Sequence, residues 1–88
     1  MKILAVCGHG LGSSFMLEMN IKKALTALGV EAELGHADLA SIRGDDADYF
    51  VMGHDIAGSA SIPESKIIAL KSIIDKAELE EKLREKLK

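Results

Sequence analysis

Apolar and polar residues change their spacing several times along this chain, and each change marks an element. The first run, Lys2 to Cys7, is continuously apolar after one lysine. Such a run suits a strand covered on both faces, the central position of a parallel sheet. Behind it, Leu17, Ile21, Leu25 and Leu28 recur at helical spacing, with Met16 and Ala24 beside them. The pattern predicts a helix from about Ser13 or Ser14 to Leu28, capped by either serine. Glu18 near its start and Lys22-Lys23 nearer its end follow the order the helix dipole prefers. Gly29 is placed to end it. Met16 and Met19 read as helix packing in preference to a ligand surface. Phe15 fits either an exposed partner contact or packing on the sheet.

Val30-Glu31-Ala32-Glu33-Leu34 alternates apolar with acidic residues, which predicts a half-exposed edge strand. Gly35-His36-Ala37 is expected to end it, with His36 a structural or surface residue. Asp38 to Arg43 suits a turn or two of helix, capped by Asp38 and ended at Gly44. Tyr49 to Met52, ending at Gly53, predicts a third, buried strand, and His54-Asp55 opens the next loop. Ile56 to Ser61 reads as an irregular helical turn. Pro63 breaks regular structure, and Ile67 to Leu70 predicts a fourth strand. Ser72 to Lys88 closes the chain. There, Asp75 and Glu78 are spaced as a capping box, and Leu79, Leu83 and Leu87 make a narrow apolar stripe. Glu78-Lys82 and Glu80-Arg84 are favourable i,i+4 pairs.

Strands alternating with helical segments predict a single α/β domain over residues 1–88. Its four-stranded parallel sheet, in the order 2-1-3-4, is flanked by helices in a Rossmann-like or phosphatase-like three-layer sandwich. Ligands in such sheets sit beyond the strand carboxyl ends, where the strand order reverses. The Cys7 loop and the Gly53-His54-Asp55 loop both emerge there, on opposite sides of one expected pocket.

Composition narrows the function classes. The net charge of -3 gives no electrostatic basis for broad nucleic-acid binding. Two Phe, one Tyr and no Trp require an aliphatic core. No signal peptide is visible, and no segment approaches the roughly 18 apolar residues of a membrane span. A cytoplasmic, reduced setting without membrane insertion is expected. The single Cys rules out an internal disulfide and disfavours dithiol redox work or a cysteine-rich metal site. Three separated histidines form no recognisable metal-ligand spacing, so no metal site and no cofactor are predicted.

The chemistry concentrates in Cys7-Gly8-His9-Gly10-Leu11-Gly12-Ser13-Ser14. Glycines at alternate positions let the backbone curl. A curled loop at a helix start turns several N–H groups toward one point, a nest for an anion. The same field favours thiolate over thiol, so Cys7 is expected to titrate below the free value of about 8.5. Nucleophile and oxyanion cradle thus fall within eight residues, which points to transient phosphorylation of Cys7. The glycine spacing is wrong for a GxGxxG dinucleotide fingerprint, and no Gly-Lys-Ser or Gly-Lys-Thr makes a Walker A loop. His9 fits tuning of the thiolate, a phosphate contact or an exposed loop position. His54 and Asp55 are secondary candidates; His54 reads first as an exposed loop histidine.

This loop, behind a strand and ahead of Phe15-Met16-Leu17, resembles the phosphorylation loop of enzyme IIB subunits of the bacterial phosphoenolpyruvate-dependent sugar phosphotransferase system. It is most similar to the ascorbate and galactitol types. Met16 to Ile21, the Gly29 cap and Ala47 to Val51 extend the likeness, which covers nearly the whole chain. The resemblance implies a transferase relay. A phosphohistidine on a IIA partner donates to Cys7, and Cys7 passes the group to a sugar, ascorbate-like in preference, held by a membrane IIC partner. Residues 8 to 14 would receive the phosphoryl oxygens on their N–H groups, helped by the Ser13 and Ser14 hydroxyls, and no metal is required. The loop also has the Cys-x5-Ser form, close to the Cys-x5-Arg loop of low-molecular-weight tyrosine phosphatases. Ser13 stands where those enzymes carry arginine, and losing that bidentate, always-charged grip suits transfer better than hydrolysis. A small phosphatase or arsenate-reductase-like enzyme and a non-catalytic anion-binding module remain the alternatives.

Overall fold

Four parallel strands form one sheet in the order β2-β1-β3-β4, as the alternation of elements predicts. They are β1 (Lys2–Cys7), β2 (Glu33–Asp38), β3 (Tyr49–Gly53) and β4 (Ile67–Leu70). The helices are α1 (Leu11–Leu28), α2 (His54–Ala57) and α3 (Lys76–Leu87), with 3₁₀ turns at Leu39–Ser41 and Glu64–Lys66. The computed structural model describes residues 1–7, 11–72 and 75–87, with residues 7 and 11–14 described by their backbone.

The continuous apolar run of β1 is explained by cover on both faces. Ile3 and Ala5 join one core with Leu17, Ile21, Leu25 and Leu28 of α1, and with Leu79 and Leu83 of α3. Leu4 and Val6 point the other way, into a second core with Phe50, Met52 and Ile62. Ile42 and Ile56 flank that second core. This is the three-layer sandwich, with α1 and α3 forming one full layer and short turns plus α2 the other.

The strand at the β2 edge departs from expectation. Its alternating signal covers Val30 to Leu34, yet the ladder runs from Lys2↔Glu33 to Cys7↔Asp38. Val30 and Ala32 pack against the first core without pairing. Their alternation therefore records an approach to the sheet. Gly35, expected to end the strand, lies inside it; a Cβ there would meet Leu4 Cδ2 at 3.0 Å. Glycine thus lets the edge strand sit close over a core leucine, and His36 becomes a strand residue. Asp38 does not cap the turn that follows. It belongs to the ladder instead.

Helix ends follow local chemistry. Gly29 takes φ 71, Gly29 N–H donates to Thr26 O (3.2 Å), and Val30 N–H donates to Leu25 O (3.0 Å). This is a Schellman end, closed by Val30 packing back on the core that holds Leu25. At the other end, α1 starts before Ser13 and Ser14, which fall in its first turn and not ahead of it. The one-turn α2 starts at His54, earlier than the irregular turn expected from Ile56.

On α3, half of the capping box forms: Glu78 N–H donates to Asp75 Oδ1 at 3.1 Å. The Glu78 carboxylate turns away from the reciprocal bond. It accepts instead from Lys71 N–H (2.9 Å) and Ser72 N–H (3.1 Å), and lies 3.3 Å from Lys82 Nζ. The same Lys82 ammonium donates to Ala69 O, so one Glu–Lys pair ties α3 to the end of β4. The Lys71 N–H bond, above all, holds the Glu78 carboxyl below its ordinary range, helped by Ser72 and Lys82 and opposed by desolvation.

Two tests follow from these ends. Gly29→Ala is expected to cost about 1 kcal/mol for the left-handed backbone alone. Gly58 sits at φ -69 with nothing within 4 Å of an added Cβ. Gly58→Ala should therefore gain about 0.4–1 kcal/mol by restricting the unfolded chain. Urea unfolding of both variants should give shifts of opposite sign. For Glu78, a folded-state pKa below the unfolded value means stabilisation above about pH 4.5 that disappears as pH falls through the folded value. Glu78→Gln should lower the melting temperature at neutral pH, and the gap from the parent protein should close in acid.

Candidate functional site

The carboxyl end of β1 and the amino end of α1 are four residues apart, at Cys7 and Leu11. An α-helix leaves its first amides without intrahelical acceptors, and here they fall at Leu11 to Ser13. Of the sequence-predicted cradle, Leu11, Gly12, Ser13 and Ser14 thus belong to the helix's opening turn and not to a free loop. The remaining cradle candidates, Gly8, His9 and Gly10, lie outside the described residues.

The β1/β3 ladder pairs Ile3↔Tyr49, Leu4↔Phe50 and Ala5↔Val51. Extended by two residues, this register brings Cys7 level with Gly53. His54 and Asp55 follow at once, both exposed, in α2. The topology therefore brings β1's carboxyl end, the amino end of α1 and the His54-Asp55 turn to one edge of the sheet. The order β2-β1-β3-β4 reverses direction between β1 and β3, the place where open α/β sheets leave a crevice.

Asp38 was not among the candidates read from the sequence. Assigned to β2, it stands directly opposite Cys7 in the ladder. With Leu39, Ala40, Ile42, Ser59 and Ser61 it lines a cleft of about 420 Å³. The signal that could have found it was the register: extending β2 past Gly35 makes Asp38 the neighbour of Cys7.

His36, two residues before Asp38, faces α1. Its Nδ1 lies 2.6 Å from Glu18 Oε1, and its ring meets Phe15 edge-on with centroids 6.4 Å apart. The edge strand is thereby fastened to the amino-terminal half of α1. Phe15 itself is 54% exposed, which sets aside burial against the sheet. Met16 and Met19 are 57% and 48% exposed, which corrects the expectation that they pack inside. Leu17 and Ala24 take the buried positions instead.

Among the described residues, no three His, Cys, Asp or Glu side chains converge as a metal site. No described helix is long and apolar enough to cross a membrane.

The architecture resembles the solution structure of a low-molecular-weight protein tyrosine phosphatase from Bacillus subtilis. The TM-score is 0.56 at 17% identity, covering 99% of this chain and 92% of that one. The fold is that of the phosphatase-like, Rossmann-like α/β sandwich, with Cys7 at the end of an inner strand. Within that class, the chain belongs to the lactose/cellobiose-specific IIB subunit family of the PTS system, whose profile matches residues 2–85. The ascorbate-specific PTS system EIIB component of Salmonella choleraesuis (strain SC-B67) is 28% identical over 90 residues. That match covers 99% of this chain and 89% of the relative. The component of the same description from Escherichia coli O157:H7 is 27% identical, with the same coverage. IIB components are phosphotransferases, and the family works with IIA and IIC partners.

The Glu18–His36 pair gives a stability test. Its side chains are 27% and 39% exposed. A double-mutant cycle through Glu18→Gln and His36→Gln, followed by denaturant unfolding, should yield a coupling of about 0.2–1 kcal/mol, weakened by salt.

Proposed function

We propose that this chain is a phosphocysteine carrier, accepting a phosphoryl group on Cys7 from a phosphohistidine of a IIA protein. It then delivers the group to a sugar held by a membrane IIC partner during uptake. The observation that carries this reading is the four-residue step from Cys7 at the end of β1 to the free amides opening α1.

In the first transfer, the Cys7 thiolate attacks phosphorus as the P–N bond of phosphohistidine breaks. The imidazole leaves with that electron pair, and a P–S bond forms. In the second, a sugar hydroxyl attacks as it loses its proton, the P–S bond breaks, and the thiolate is regenerated. Amides of residues 8 to 14 and the Ser13 and Ser14 hydroxyls would hold the phosphoryl oxygens in both steps. His54 and Asp55 would form the opposite rim. An ascorbate-like sugar is favoured, because the relatives that match over nearly the full chain are named ascorbate-specific. The lactose/cellobiose description of the family profile makes a disaccharide the competing acceptor.

Residues 8 to 14 contain no arginine. That argues against the hydrolytic alternative, in which a guanidinium grips the phosphate. With phosphoenolpyruvate, the general phosphotransferase components and a IIA protein, intact mass should rise by one phosphoryl group. Cys7→Ser should abolish that gain. Turnover of an aryl phosphate with release of free phosphate would instead assign the chain to hydrolysis.

A further inference from the structure

The end of the sheet where Cys7 stands carries little positive charge. The first turn of α1, Gly53 to Asp55 after β3, and the cleft segments Asp38 to Ile42 and Ser59 to Ser61 all meet there. With residues 8 to 10 they hold two carboxylates, Asp38 and Asp55, and neither lysine nor arginine. Among them, only the imidazoles of His9 and His54 can carry positive charge. With those imidazoles neutral, an end read as a phosphate cradle is formally negative before any phosphate arrives.

Asp38 is the nearer carboxylate by register. It is the ladder partner of Cys7 across the parallel β1/β2 pair, about 4.8 Å away from strand to strand. Pairing fixes its backbone, so its charge stays one strand from Cys7. Asp38 is exposed, and its side chain gives no cap bond to the turn that follows. Asp55 comes two residues beyond Gly53, on the other side of β1, and is the more distant of the two. The remaining titratable groups toward this end are His36 of β2, held 2.6 Å from Glu18 of α1, and His54 in α2; His9 follows Cys7 by two residues in the chain.

We infer that the carboxylate of Asp38 sets how readily Cys7 gives up its phosphoryl group. The inference rests on the carrier reading above. Asp38 acts through Cys7 and touches neither donor nor acceptor. The amides opening α1 favour negative charge on the sulfur, and a neighbouring like charge opposes it. Phosphocysteine carries about two negative charges, more than the thiolate it replaces. Repulsion from Asp38 is therefore greatest in the phosphorylated form and falls when the P–S bond breaks. The amides hold the group in line for attack, while Asp38 raises its tendency to leave.

The test follows alkylation of Cys7, the chain's single cysteine, against pH at low salt. It compares the parent protein with Asp38→Asn, Asp38→Lys, Asp38→Glu and Asp55→Asn, with circular dichroism melts to check the fold. The thiol midpoint should fall by about half a pH unit or more in Asp38→Asn and further in Asp38→Lys. It should stay near the parent's in Asp38→Glu and move less in Asp55→Asn, and added salt should shrink the shifts. A purely structural role for Asp38 would not order the midpoints by charge. In equilibrium with a phosphorylated IIA protein at neutral pH, the ratio of phosphorylated to free Cys7 should rise at least about threefold in Asp38→Asn, and Asp38→Glu should restore it. Midpoints and ratio unchanged in Asp38→Asn and Asp38→Lys, with the parent phosphorylated, overturn the role of Asp38 and leave the carrier reading standing. A midpoint that shifts while the ratio stays fixed overturns that role too. A parent protein that accepts no phosphoryl group overturns the carrier reading and this inference with it.

Discussion

The packing of α1 against the centre of the sheet governs the geometry of this molecule. Leu17, Ile21 and Leu25 are each at most 3% exposed, and they close over Ile3, Ala5 and Val51. Burying side chains of that size contributes roughly 1.5–3 kcal/mol each, large against the stability of a domain this small. With this stripe in place the helix axis is fixed, and the helix must start beside the end of β1. The position of Cys7 relative to the first amides of α1 is therefore set by core packing several residues away.

The other face of the sheet is covered differently. Phe50 and Met52 are fully buried there, yet their cover consists of short turns and a four-residue helix. Such elements bring their ends to the sheet edge without spending length on a second long helix. Asp38, at the end of β2, and His54 with Asp55, directly after β3, consequently stand at the same end of the sheet as Cys7. The edge strand β2 has a neighbour on one side only, and His36 compensates by reaching Glu18 on α1. Gly35 allows the close approach to Leu4 that this arrangement requires.

What could be read from the chain alone divides along physical lines. The buried strands were legible because cover on both faces demands unbroken apolar runs; β4 matches its expected bounds, and β3 differs only by including Gly53. The end of α1 was legible because a left-handed residue is needed there and glycine supplies it. Edge strand β2 was misplaced because alternation at Val30 to Leu34 reports half-burial, which a segment approaching a sheet shares with a paired strand. The exposure of Met16 and Met19 was missed because apolar character at helical spacing cannot say which of two adjacent stripes faces the core. Leu17, Ile21 and Leu25 had already filled that role. At this end of the sheet, Cys7 at the close of β1 came from local pattern, the start of α1 was read two or three residues late, and the place of Asp38 depended on a register that local pattern does not contain.

A fold shared with a phosphatase and a sequence shared with transport components pose a question of mechanism that the glycine loop addresses. Hydrolysis and transfer both need a thiolate and a ring of amide donors. They differ in what must happen to the phosphoryl group once attached. A hydrolase gains from holding it firmly, with a fixed cation, while water is activated beside it. A carrier must hold it weakly enough that a second nucleophile can remove it, and must keep water from doing so first. Under the carrier reading proposed above, amides and hydroxyls would supply directional donors without a net charge, and Asp38 stands at the adjacent strand end. Under that reading, a chain with serine at position 13 and no arginine among residues 8 to 14 would suit transfer. The distinction lies in how much positive charge the edge retains around the sulfur.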